Sequence, residues 1–293
     1  KDQRELRELV KYRKSLTEER TRELNRLQKM LEGANIKISG TIKDINGKSS
    51  RNILELIVSG ETIDSARYDL LYKQKAIAHN LKASKEQIID DLNGVMTDLQ
   101  RKVMRVLLRH VDELTAHISE LDDDIDNFMK PEEKQAAKKI QQVPGIGNTS
   151  AQAVIAVIGT DMDRFPTQAH IASWAGLCPG DNTSAKKRKS GKTRKGNQLL
   201  RATLVTCAHS AVKNKASYFY AQYMRISAHR GKKRAIVAVA HSILIAIFHI
   251  LKCDYPFRDL GADYYNQFNR ERKISAYLKK LKALGWEPSP AAC

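Results

Sequence analysis

VDELTAHISELDDDIDNF, residues 111–128, sets Val111, Leu114, Ile118, Leu121, Ile125 and Phe128 at alternating spacings of three and four. Only a helix brings such positions onto one face, and an unbroken three–four alternation is the pattern of a seam along which helices lie side by side. The acidic run in the same stretch invites a metal reading. Asp122, Asp123, Asp124 and Asp126 flank the seam residues Leu121 and Ile125, however, so they read as the solvated face of the helix.

Upstream, the periodicity continues through Ile88, Leu92, Val95, Leu99, Val103 and Leu107, opened by Ser84 with Gln87 three positions on as a capping box. Uninterrupted to Met129, this helix would be about 65 Å long. Gly94 is its weak point and Pro131 its stop. Before it, Leu6, Leu9, Leu16, Leu24, Leu27 and Leu31 mark another long helix, with Arg13 and Arg20 at seam positions and Gly33 as its C-cap. Shorter helical units are expected over 51–60 and 63–82. Glycine, proline and strand-like alternation are sparse, so the fold class is mainly α, with long coiled-coil helices in the first half. An antiparallel coiled-coil arm and a compact bundle both satisfy the pattern. Such seams join protomers or domains, so a homo-oligomer, dimer or tetramer, held through the coiled coil is expected.

From Pro131 the character changes. IQQVPGIGNTSAQAVIAVIG (140–159) reads as a helix, a tight turn and a second helix of small residues, the form of a helix-hairpin-helix. Gly145 and Gly147 permit the sharp turn, and the free N–H groups opening the second helix suit a phosphate oxygen. A helical hairpin with no ligand is the alternative. TQAHIASWAGLCPG (167–180) adds a short helix on which His170 and Trp174 are expected to pack. Helices follow over 197–216 and 217–251, the latter split near Gly231, and a final helix over 270–283 lies in a basic tail. The expected domains are 1–130, helical and coiled-coil; 131–253, carrying the hairpin and a basic loop; and 254–293, the tail. The apolar run 235–252 carries His241 and His249 and reads as a buried helix rather than a membrane span. His209, His241 and His249 are expected inside helical cores.

Lys and Arg number 51 against 33 Asp and Glu, a formal charge of +18. Such an excess repels itself on folding and calls for a polyanion, nucleic acid before a membrane surface. Cys178, Cys207, Cys253 and Cys293 fit no zinc spacing, and a reducing, cytoplasmic setting is expected. The chain opens on helical pattern without a starting Met, and reads as the middle of something longer. Neither a P-loop, a dinucleotide fingerprint nor HExxH occurs.

The remaining chemistry lies in NTSAKKRKSGKTRKGN, residues 182–197. Lys186, Lys187, Arg188, Lys189, Lys192, Arg194 and Lys195, with Arg201 one turn into the next helix, are expected to contact backbone phosphates. Thr183, Ser184, Ser190 and Thr193 supply hydroxyls. The threonine β-methyl crowds attack on tetrahedral phosphorus, which favours the serines, and physics alone hardly separates Ser184 from Ser190.

Taken in order, the V-P-G-I-G hairpin, ASWAGLCPG (172–180), the basic loop and the Ala-rich helix after K-K-R-A resemble the C-terminal transposase domain of DEDD-type insertion-sequence transposases, the bridge-RNA-guided serine recombinases. Residues 3–32 likewise resemble the coiled coil that follows their RNase H-like domain. The resemblance implies that Ser184, a few residues after the Gly-Leu-x-Pro turn, is the nucleophile. It implies Mg²⁺ on four carboxylates of an RNase H-like domain, expected before residue 1 rather than on this chain. It also implies donor and target DNA, a structured guide RNA, and a bacterial or archaeal, nucleoid-associated location without a membrane. A non-catalytic nucleic-acid-binding and oligomerisation module is the alternative function.

Overall fold

The computed structural model describes residues 2–42, 44–78, 83–180, 182–184, 187–190, 193–268 and 270–286. The described residues are mainly helical, with one two-stranded sheet, and fall into two compact units: 11–125, and 1–10 together with 126–293.

The first unit holds most of α1 (Asp2–Gly33), then α2 (Ile38–Thr41), α3 (Lys48–Ser59), α4 (Ser65–Lys73), α5 (Lys85–Leu92) and most of α6 (Asp98–Phe128). Leu27, Leu31, Ile53, Leu54, Ile88 and Met104 centre its core. Farther along, Leu16 meets Leu114 and Ile118. Arg13 donates to Asp122 at 2.6 Å and Arg20 to Thr115 at 3.3 Å, so α1 and α6 run antiparallel. The seam residues Val111, Leu114, Ile118 and Ile125 are buried. Leu16 of the same chain covers Leu114 and Ile118. The two arginines at seam positions are thereby explained: each reaches a polar partner on α6 instead of filling a hydrophobic hole.

The single helix expected from Ser84 to Met129 is two. Ser84 does form the capping box with Gln87, but α5 ends at Leu92 and α6 begins at Asp98. At the break, Val95 N–H donates to the Ala34 carbonyl at 3.1 Å, and Lys37 N–H donates to the Asp91 carbonyl at 2.7 Å. A Cβ on Gly94 would lie 2.3 Å from the Ala34 oxygen, so the 34–37 segment crosses where only glycine leaves room. The interruption resets the helical phase. Val95, Leu99 and Val103, expected on the seam, are 85%, 72% and 44% exposed, while Met104 and Leu108 turn inward.

The second unit comprises α7 (Pro131–Ile140), α8 (Asn148–Ile158), α9 (Gln168–Trp174), β1 (Asn182–Ser184), β2 (Lys187–Ser190), α10 (Gln198–Ala211), α11 (Tyr218–Arg230), α12 (Lys232–Cys253), α13 (Tyr264–Gln267) and α14 (Arg270–Ala283). Pro131 begins α7 at its first turn, where the missing N–H costs nothing. α12 is the central helix, with α7, α9, α10 and α11 around it. It is long and apolar enough to cross a membrane, yet it buries Val239, Ile243, Leu244 and Ile247 in the core of this unit. The start of α1 closes the unit: the Gln3 side-chain amide donates to the Ile155 and Ala156 carbonyls at 2.8 and 2.9 Å, meeting the orphan acceptors at the end of α8.

The histidines depart from the core placement expected of them. His209 and His249 are exposed, the latter 2.7 Å from Gln168 Oε1, and His241 is half-buried. Trp174 is likewise 42% exposed, with its ring 5.5 Å from that of Phe165. Beyond α12 the tail returns to the body. Phe257 stacks on Phe219, Tyr218 and Tyr265 hydroxyls lie 2.8 Å apart, and the Arg225 guanidinium sits 4.7 Å over the Tyr265 ring.

Candidate nucleic-acid site

The basic stretch expected as a loop folds as a hairpin. β1 and β2 pair antiparallel, with Asn182 opposite Ser190, Thr183 opposite Arg188 and Ser184 opposite Lys187, and a register irregularity falls between Asn182 and Thr183. Pairing follows from how the stem is pinned. Pro179 bridges Thr193, Asn197 N–H donates to the Trp174 carbonyl at 3.3 Å, and Arg201 Nη1 donates to the Gly176 carbonyl at 3.0 Å. Gly176, at φ +70°, and Gly196 touch backbone to backbone; a Cβ on Gly196 would meet the Gly176 nitrogen at 2.3 Å. With both ends held so closely, the intervening strands lie within pairing distance.

Ser184 is therefore the last residue of β1, with Lys187 as its cross-strand partner. Ser190 closes β2 on the stem side, and Thr193 lies in the stem itself. Lys187, Arg188 and Lys189 lie on β2, while Arg194 and Lys195 are exposed on the return to α10. Lys186 and Lys192 lie outside the described residues. Arg201 is committed in part to the Gly176 carbonyl, so it ties the stem as well as carrying charge.

The two turn glycines separate in role. Gly145, at φ +88°, faces α10: a Cβ there would lie 2.3 Å from the Cys207 carbonyl oxygen. Gly147 is exposed at the N-cap of α8, with open space where a Cβ would be.

Sequence reasoning missed a cavity of about 660 Å³ at the hairpin stem. Arg201, Lys233, Arg234, Thr193, Gln222 and His241 give it its polar wall. Leu177, Pro179, Val237 and Ala238 give it an apolar side. Lys233, Arg234, Val237, Ala238 and His241 form one stripe of α12, at helical spacing that is visible in KKRAIVAVAH (232–241). Burial pushes the His241 imidazole below its ordinary value. Burial raises the Cys178 thiol, with Arg194 pulling the other way. Among the described residues, no group of three or more His, Cys, Asp or Glu side chains is placed to hold a metal ion. Asp122 and Asp126 of the acidic run pair with Arg13 and Lys134 instead.

Residues 137–224 match the profile of the Transposase IS116/IS110/IS902 family. A Pseudomonas aeruginosa protein called probable family 20 transposase is 28% identical over 113 residues, which is 38% of this chain and 32% of that protein. Both matches are to transposases; the family match runs from α7 to the middle of α11, across the whole hairpin, and the chain spans about a third of the length of the curated relative.

Proposed function

We propose that the chain is the serine-bearing portion of an insertion-sequence transposase that cuts and rejoins DNA. The observation that carries this reading is the segment shared with the transposase family. It contains a cationic hairpin with a serine at the end of its first strand, and a cationic cavity opens at that hairpin's stem. In the proposed reaction Ser184 Oγ bonds to the phosphorus of a backbone phosphodiester, and the bond to one deoxyribose oxygen breaks. The serine proton ends, overall, on the released hydroxyl. Attack by a hydroxyl of another strand on the phosphoserine rejoins the DNA and restores the serine.

A serine hydroxyl is a weak nucleophile near neutrality and needs assistance. The β2 cations Lys187 and Arg188 would stabilise charge on the phosphoryl oxygens. Mg²⁺ on carboxylates beyond the residues described would supply activation and leaving-group stabilisation. A structured guide RNA belongs to the same proposal, as does assembly of several protomers on donor and target DNA. The net charge of +18 supports nucleic-acid partners of either kind.

The test is a nicked DNA substrate that traps the covalent intermediate, incubated with full-length protein, guide RNA and Mg²⁺. Ser184→Ala should bind DNA and form no protein–DNA adduct, whereas Ser190→Ala should form it. An adduct surviving in Ser184→Ala moves the role to another residue. Binding without any adduct in the unaltered protein favours the non-catalytic binding and oligomerisation module, which the same cations would serve.

A further inference from the structure

We propose that the cavity at the hairpin stem receives a single unstacked nucleotide of a nucleic-acid strand. Its phosphate would rest on Arg201, Lys233 and Arg234, and its base against Leu177, Val237 and Ala238. This rests on the reading that the hairpin unit handles nucleic acid, and it names what one part of that unit holds.

Four observations converge on this ligand. Among the described residues the charged side chains of the wall, Arg201, Lys233 and Arg234, are all cationic, which selects an anion. The volume, about 660 Å³, lies in the range of small-molecule sites and far exceeds what one phosphate fills. One side of the cavity is apolar, a surface that a phosphate alone would leave uncovered but a base face would cover. The fourth is Gln222, which is 9% exposed. Its Nε2 donates to Ser242 Oγ at 2.8 Å, while its Oε1 is buried with no partner among the described residues.

Turning the amide around would exchange these atoms and still leave one of them unmatched. A buried polar atom left unpaired costs about 1–3 kcal/mol, so a ligand that pairs it recovers that penalty. A phosphodiester has only acceptors, so it could pair the NH2 of the turned amide but not Oε1. The edge of a nucleobase offers donors and acceptors together. A base stacked in a duplex cannot enter a concave cavity, so the nucleotide must be out of the stack.

The experiment measures, with the full chain, affinity for a labelled single-stranded oligonucleotide and for the duplex of the same sequence. Gln222→Leu removes the polar atoms at similar volume; relief of the unpaired Oε1 offsets the lost bond to Ser242, so the unfolding temperature should stay close to that of the unaltered protein. Its affinity for the single strand should fall about fivefold, the worth of one hydrogen bond, with duplex affinity unchanged. Val237→Phe fills the cavity from a half-buried position and should act in the same direction, which preserves the test if Gln222→Leu does not fold. Equal losses on both oligonucleotides, or no loss on either, overturn the proposal. A deoxynucleoside monophosphate should displace the single strand at lower concentration than inorganic phosphate does. Equal potency would reduce the cavity to an anion site and overturn the nucleotide assignment. If the unaltered protein binds no nucleic acid at all, the broader functional reading fails too. If it binds duplex normally and only the cavity variants are silent, the cavity proposal alone fails.

Discussion

Gly145 shows how one residue can be legible in kind and hidden in consequence. V-P-G-I-G announces a tight turn, and the chain does turn there with φ +88°. That a Cβ would strike the Cys207 carbonyl at 2.3 Å and the Ala211 nitrogen at 2.7 Å depends on α10, some sixty residues away, and no local pattern carries it. Gly145→Ala combines left-handed strain with overpacking against backbone, together about 2–5 kcal/mol. Chemical denaturation should show that loss, whereas Gly147→Ala, with open space around it, should cost less than about 1 kcal/mol. Equal costs would mean that α10 yields to the added methyl and that the turn also leaves its left-handed conformation. Ser184 has the same split character. Its position near the Gly-Leu-x-Pro turn is readable from the sequence, but its place opposite Lys187 on a paired strand is not, because a run of Lys, Arg, Ser and Gly carries no hydrophobic alternation.

At the scale of elements, the seam is plain in the sequence from Val111 to Ile125 because three–four spacing is a local property, whereas Phe128, expected to end it, is 38% exposed. Its upstream extension failed at Gly94, since the segment that crosses there, residues 34–37, belongs to a distant part of the chain. Leu114 is 4% exposed and packs with Leu16 and Ile118. Leu114→Ala should therefore cost about 2–5 kcal/mol. Because the packing partner is on the same chain, the drop in unfolding midpoint should be the same at low and high protein concentration. A loss that grows on dilution would place a second protomer on the seam. The exposed Val95, Leu99 and Val103 lie outside that packing, and Leu99→Ala should be nearly silent in the same assay.

Over the whole molecule, charge was the most legible property and its arrangement the least. An excess of +18 predicts a polyanionic partner wherever the cations lie. Their sorting depends on contacts between distant segments: Lys187, Arg188 and Lys189 on a paired strand, and Arg201, Lys233 and Arg234 around a cavity built from α10, α11 and α12. The two groups should be separable by salt. Each phosphate contact contributes about 0.9 to the slope of log affinity against log salt for duplex DNA. Replacing Lys187 and Arg188 together with alanine should flatten that slope by about 1.8, equally for related and unrelated duplexes, since backbone contacts position without reading sequence. Gln222→Leu changes no charge and should leave the slope where it is. An unchanged slope in the double alanine variant would mean that β2 does not meet the phosphates, and the hairpin would then owe its cations to something other than duplex DNA.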